Sequence, residues 1–120
     1  MATIRLLVVD DEESLRLLFK EELEDEGYEV ELASNGQEAV EKVRASAFDA
    51  VIMDIKMPVM DGIQALGEIK KLRQDQPVIL CSAYGEYRQD FSSWISDGYV
   101  VKSADTSELK ETIGKILKSA

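Results

Sequence analysis

Five short apolar runs, each separated from the next by a stretch with helical spacing, constrain this chain more than any other feature. They read as strands at Ile4 to Val9, Tyr28 to Ala33, Ala50 to Met53, Val78 to Cys81 and Tyr99 to Val101. Strands alternating with helices are the pattern of a parallel sheet covered on both faces. The runs starting at Ile4, Ala50 and Val78 are almost continuously apolar, as strands buried on both sides must be, and are placed at the sheet centre. The second run alternates Tyr28, Val30 and Leu32 with Glu29 and Glu31, which leaves one side in water and places it at an edge.

The intervening segments carry helix signals. Leu15, Leu18, Phe19 and Leu23 share one helical face, and Gly27 follows as a stop. Ser34 and Gln37 have capping-box spacing ahead of Ala39, Val40 and Val43. Asp61 can cap a third helix bearing Ile63, Leu66 and Ile69, and Asp105 with Glu108 can open a fifth bearing Leu109, Ile113, Ile116 and Leu117. The fourth helix, Gly85 to Ile95, has Tyr87, Phe91 and Ile95 at helical spacing but is poor in helix formers, so it is expected to be short or mobile.

A chain of 120 residues with 45% hydrophobic and 32% charged residues can bury a core as one domain without disulfides. Cys81 is the single cysteine and reads as a small buried hydrophobe at a strand end. The net charge of −10 argues against direct nucleic-acid binding, which lysines and arginines drive. No stretch has the length of a membrane span, and Leu6-Leu7-Val8-Val9 runs straight into Asp10-Asp11-Glu12-Glu13, which no secretory signal tolerates. The expected location is cytoplasmic. The acidic stretch from Glu21 to Glu26 wraps a helix with apolar positions on its other side and reads as a solvated face.

Polar residues at the strand ends carry the chemistry. Ligands of open parallel sheets bind beyond the carboxyl ends of the strands. Asp10 and Asp11 follow the first strand, Asp54 the third, Ser82 the fourth and Lys102 the fifth. Taken singly, each has a bland reading: a strand-end aspartate caps a helix or forms a turn, and a lysine sits on the surface. Their joint placement at successive strand ends favours one site. Two carboxylates about 4 Å apart repel by roughly 4 kcal/mol at an effective dielectric near 20, so three of them require cations. Lys102 can supply one and Mg²⁺ another. Such a group suits phosphoryl transfer, with Asp54 as nucleophile and metal, Lys102 and Ser82 on the transferring oxygens.

Asp54-Ile55-Lys56-Met57-Pro58-Val59-Met60-Asp61-Gly62 resembles the phosphoacceptor strand end and loop of the receiver domains of two-component response regulators. Val8-Val9-Asp10-Asp11-Glu12 is similar to that family's acidic pair, Ser82-Ala83 to its hydroxyl residue and small neighbour, and Tyr99-Val100-Val101-Lys102 to its fifth strand. The resemblance covers essentially the whole chain. It implies phosphorylation of Asp54 by the phosphohistidine of a histidine kinase or phosphotransfer protein. It implies Mg²⁺ ligated by Asp11, Asp54 and the Lys56 backbone carbonyl, with Asp10 acting through water, and Lys102 paired with the phosphoryl group. Ser82 and Tyr99 become the switch residues, reporting to a downstream protein on the face made by the fourth helix, fifth strand and fifth helix.

Two departures touch that face. Ser103 stands where the family usually has proline, so a trans Lys102–Ser103 bond is expected, since a non-proline cis bond costs about 3 kcal/mol. The stretch from Ser82 to Lys102 is also short for the family. Trp94 reads as a core or partner contact. The expectation is a single receiver domain over residues 1–120 without an output domain: a doubly wound, flavodoxin-like (βα)5 sheet of strand order 2-1-3-4-5. It is expected to catalyse only its own phosphorylation and dephosphorylation and not to be an independent enzyme. The alternatives are a metal-dependent aspartyl-phosphate phosphohydrolase, disfavoured because Lys56 occupies the place of its second acid, and a pseudo-receiver that binds partners without phosphorylation.

Overall fold

The computed structural model describes residues 3–82, 96–102 and 105–119. Its elements run β1 (Arg5–Val9), α1 (Glu13–Asp25), β2 (Glu29–Ala33), α2 (Gly36–Ala45), β3 (Ala50–Asp54), α3 (Gly62–Leu72), β4 (Val78–Ser82), β5 (Gly98–Val101) and α4 (Ser107–Ser119), the last being the fifth helix of the sequence reading. All strand pairs are parallel, in the order β2-β1-β3-β4-β5, as expected. The expected fourth helix, Trp94, Ala83 and the Lys102–Ser103 bond lie outside the described residues.

Strand alternation divides the core in two. Leu7 and Val9 of β1 join Val51, Met53, Val78 and Leu80 against Ala39, Val40 and Val43 of α2 and Ala65, Leu66 and Ile69 of α3. Leu6 and Val8 point the other way, joining Ile52, Ile79, Cys81 and Val100 against Phe19 and Leu23 of α1 and Leu109 and Ile113 of α4. Every residue of β3 and β4 is buried, whereas β2 exposes Glu29 and only half-covers Glu31 and Leu32, consistent with a two-sided centre and a wet edge. Each large side chain so buried contributes about 1.5–3 kcal/mol, and the two layers fix the strand ends as a rigid platform.

Local signals set the helix ends. α1 stops where Gly27 takes φ +94°, its N–H on Glu24 O and the Tyr28 N–H on Leu23 O, a Schellman motif. Asp61 and Gln64 form a reciprocal capping box at α3. The start of α2 corrects the sequence reading. Asn35 is the cap, accepting from the Glu38 N–H at 2.8 Å, while the Ser34 hydroxyl donates to the Glu38 carboxylate. Both residue types can cap, and the helix begins one residue later than the Ser34–Gln37 spacing suggests. At α4, Asp105 accepts from the Ser107 N–H and the first helical bond runs from Lys110 N to Thr106 O. Among the described residues no helix is long and apolar enough to cross a membrane.

Candidate functional site

Because the five strands are parallel, their carboxyl ends share one edge. Strand order reverses between β1, whose helix returns to β2, and β3, whose helix leads to β4, so the loops after β1 and β3 diverge and open a crevice. Asp10 and Asp11 enter it from β1 and Asp54 from β3. One carboxylate oxygen from each of the three lies within 4.8 Å of the others. Asp10 and Asp54 are buried and Asp11 is exposed.

Lys102, carried in by β5, bridges the two buried acids, with Nζ 2.7 Å from Asp10 Oδ2 and 3.3 Å from Asp54 Oδ2. Its backbone N–H donates to Ser82 O at 2.6 Å, which brings the buried Ser82 to the same edge. Backbone amides take the remaining oxygens: Ile55 N–H donates to Asp54 Oδ1 and Glu12 N–H to Asp10 Oδ1, both at 2.9 Å. Tyr99 is half-buried three residues before Lys102 and packs toward the α2–α3 side of the core. A cleft of about 610 Å³ opens beside the cluster, lined by Asp11, Ile55, Lys56, Met57, Pro58, Asp61 and Ile63. The structure thus brings Asp10, Asp11, Asp54 and Lys102 together, with Ser82 adjoining and Lys56 on the cleft wall.

Burial pushes the Asp54 carboxyl up to about 6; Lys102 opposes that rise and Asp10 adds to it. Burial pulls the Lys102 ammonium down, but its hydrogen bond to Asp10 and the charges of Asp54 and Asp10 outweigh burial and hold it above the ordinary lysine range. Asp54 is therefore mostly ionised at neutral pH, and Lys102 stays charged. Burial pushes the nearby Cys81 thiol up to about 12, so it remains a neutral core group and no competitor as nucleophile.

The donor set fits a hard divalent cation. Octahedral Mg²⁺ with oxygens at about 2.1 Å sets those oxygens about 3–4 Å apart, so a spread of 4.8 Å suits direct ligation by some carboxylates and a water bridge to another.

The loop after Asp54 is tightly tied. Gly62 N–H bonds Ile55 O at 2.7 Å, Gly36 N–H bonds Met60 O at 3.1 Å, and Met60 N–H closes a γ-turn onto Pro58 O around Val59, whose φ is +71°. A Cβ on Gly62 would run into the Asp54 carbonyl oxygen. Sequence reasoning missed two features here: this backbone geometry at Val59, for which valine gives no hint, and Arg16, whose Nη1 donates to Asp10 O at 2.7 Å. An arginine in the first turn after an acidic strand end was the available signal for the second.

A family model described as the response regulator receiver domain matches residues 6–114. The chemotaxis protein CheY of Bacillus subtilis is 40% identical over 116 residues, spanning 94% of this chain and 97% of that protein. The crystal structure of the response regulator protein TrrA from Thermotoga maritima in complex with Mg²⁺-BeF is 50% identical, with a TM-score of 0.92 over 95% of this chain and 99% of that one. A crystal structure of the histidine kinase ThkA in complex with TrrA is also 50% identical, with a TM-score of 0.90 over 96% of this chain and 99% of that one.

Proposed function

The chain belongs to the response regulator receiver domain family, a phosphorylatable signalling switch, and from that premise we propose that Asp54 is its phosphoacceptor. The observation that carries this reading is the Lys102 bridge between Asp10 and Asp54 beside Asp11. A carboxylate nucleophile is held there next to the ammonium group that can receive the transferring oxygens.

Asp11, Asp54 and the Lys56 carbonyl would hold Mg²⁺, with Asp10 acting through water; the three clustered carboxylates and the presence of Mg²⁺ in the TrrA complex support a cation at this site. When bound, the ion supplies positive charge to the phosphoryl oxygens. The rest falls to the chain. A carboxylate oxygen of Asp54 forms the bond to phosphorus as the bond from phosphorus to the donor's imidazole nitrogen breaks, and that nitrogen keeps the electron pair. The Ile55 N–H keeps the Asp54 carboxylate oriented. Lys102 transfers its hydrogen bond from Asp54 to the new phosphoryl group, and the Ser82 hydroxyl hydrogen-bonds one of that group's oxygens. Tyr99 then moves inward behind Ser82, changing the face around β5 and α4 that a downstream protein reads.

The phosphodonor is a histidine kinase or phosphotransfer protein, which the ThkA–TrrA complex supports. The only reactions the domain catalyses are its own phosphorylation and dephosphorylation, within a single receiver domain over residues 1–120 acting in the cytoplasm. With a net charge of −10 it binds neither nucleic acid nor membrane directly.

Incubation with Mg²⁺ and a small acyl-phosphate donor, followed by intact mass measurement, tests the assignment. The expected result is a gain of one phosphoryl group in the wild type and none in Asp54→Asn. Steady turnover of a phosphoester would favour a phosphohydrolase, and an unchanged wild-type mass a pseudo-receiver.

A further inference from the structure

Asp11 is the exposed acid of the cluster, and among the described residues its carboxylate makes no hydrogen bond or ion pair. A side chain without partners can be aimed only by its backbone. That backbone is gripped on both sides. Arg16, half-buried in the first turn of α1, donates from Nη1 to the Asp10 carbonyl at 2.7 Å, so the helix reaches back across the loop that precedes it. On that same side the Asp10 N–H is taken by Ala33 O at 3.2 Å, and on the far side of Asp11 the Glu12 N–H is taken by Asp10 Oδ1 at 2.9 Å. With the peptides before and after it fixed, Asp11 has little freedom at its own dihedrals and its carboxylate is left pointing at Asp54. Glu12 gives α1 no side-chain cap, so the guanidinium is the side-chain tie between this helix and the loop.

We infer that Arg16 is a positioning residue for the divalent cation, acting through the Asp10–Asp11 peptide to hold the Asp11 carboxylate in place without touching the ion. The inference rests on the cation site proposed above. A guanidinium suits the task because it is always charged and its fork is rigid. It also brings its positive charge onto the Asp10 carbonyl without occupying a carboxylate oxygen, whereas Lys102 occupies one oxygen of Asp10 and one of Asp54.

Calorimetric titration with MgCl₂ alone tests this on the wild type, Arg16→Met, Arg16→Lys, Asp11→Asn and Arg44→Met, at a temperature where thermal unfolding in EDTA shows each variant folded. Losing an outer-sphere partner of this kind weakens metal binding about tenfold or more, and that loss is expected for Arg16→Met. Arg16→Lys, which keeps the charge and one donor, should fall between it and the wild type. Should the methionine variant fail to fold, the lysine variant carries the test, and wild-type affinity in it overturns the inference. Arg44→Met removes the same charge from an exposed site on α2 and should bind as the wild type does. Undiminished affinity in folded Arg16→Met overturns the inference, as does an equal loss in Arg44→Met, which would reduce the effect to net charge. If the wild type takes up no Mg²⁺, or Asp11→Asn binds equally well, the cation site itself is wrong and the role of Arg16 falls with it.

Discussion

Val59 carries two costs at once. It is a β-branched residue at φ +71° and is 79% exposed, so burial compensates for neither the strain nor the apolar surface. Strain of this kind costs on the order of 1–3 kcal/mol, and glycine escapes it because it has no Cβ. Val59→Gly is therefore expected to stabilise the fold by about 1 kcal/mol after the entropy lost in ordering glycine, read as a higher denaturant midpoint with an unchanged slope. A lower midpoint would mean that the turn is not strained. The polar residues that the structure gathers at one edge were legible because each ends an apolar strand with a polar group, a conspicuous break in pattern. Val59 was not, since its conformation is imposed by the Pro58–Met60 hydrogen bond and by the docking of Met60 O on Gly36. Neither bond leaves a trace in residue type.

Among the elements, α3 is the one that packs against the backbone of Asp54, the proposed phosphoacceptor. Its first residue, Gly62, lies so close to the end of β3 that an added Cβ meets the Asp54 carbonyl oxygen and the Ile55 Cα, which are backbone atoms and cannot swing aside. Five residues later in the same helix, Gly67 faces open space. The same substitution should thus have opposite signs at the two positions. Gly62→Ala is expected to cost about 1–3 kcal/mol through overpacking and to slow phosphorylation by displacing Asp54. Gly67→Ala should gain about 0.5–1 kcal/mol from helix propensity alone. Denaturant unfolding of the pair decides it, and equal signs would contradict the close approach of α3 to β3. The elements themselves were readable from strand runs, apolar stripes and Asp61, while the cap of α2 was misplaced by one residue because Ser34 and Asn35 are both competent acceptors. Which one accepts depends on where Gly36 docks against Met60, a tertiary contact.

At the scale of the whole molecule, the strand order was legible because a parallel sheet with two covered faces leaves few arrangements for three almost continuously apolar strands and one alternating strand. That order concentrates negative charge at one edge of an already acidic protein, and the sheet's stability inherits the consequence. In the folded state the Asp54 carboxyl keeps its proton up to about pH 6, against 3.8 for an ordinary aspartate in the unfolded chain. Between those values the native state binds more protons than the unfolded state, so this group's contribution to stability is complete below about pH 4 and is lost as pH rises through about 6. At 1.36 kcal/mol per unit the loss is on the order of 2–3 kcal/mol. Other carboxylates titrate in the same range, so the measurement is a difference: unfolding free energies of the wild type and Asp54→Asn in EDTA, from pH 4.5 to 7.5. The variant, which has no charge to bury, is expected to be the more stable protein at pH 7.5 and to lose the advantage toward pH 4.5. Parallel curves would mean that Lys102 compensates Asp54 fully. Adding Mg²⁺ at pH 7.5 should raise the wild type far more than Asp54→Asn, because a cation that binds only the folded state stabilises it by mass action and finds its full ligand set only where the acid remains.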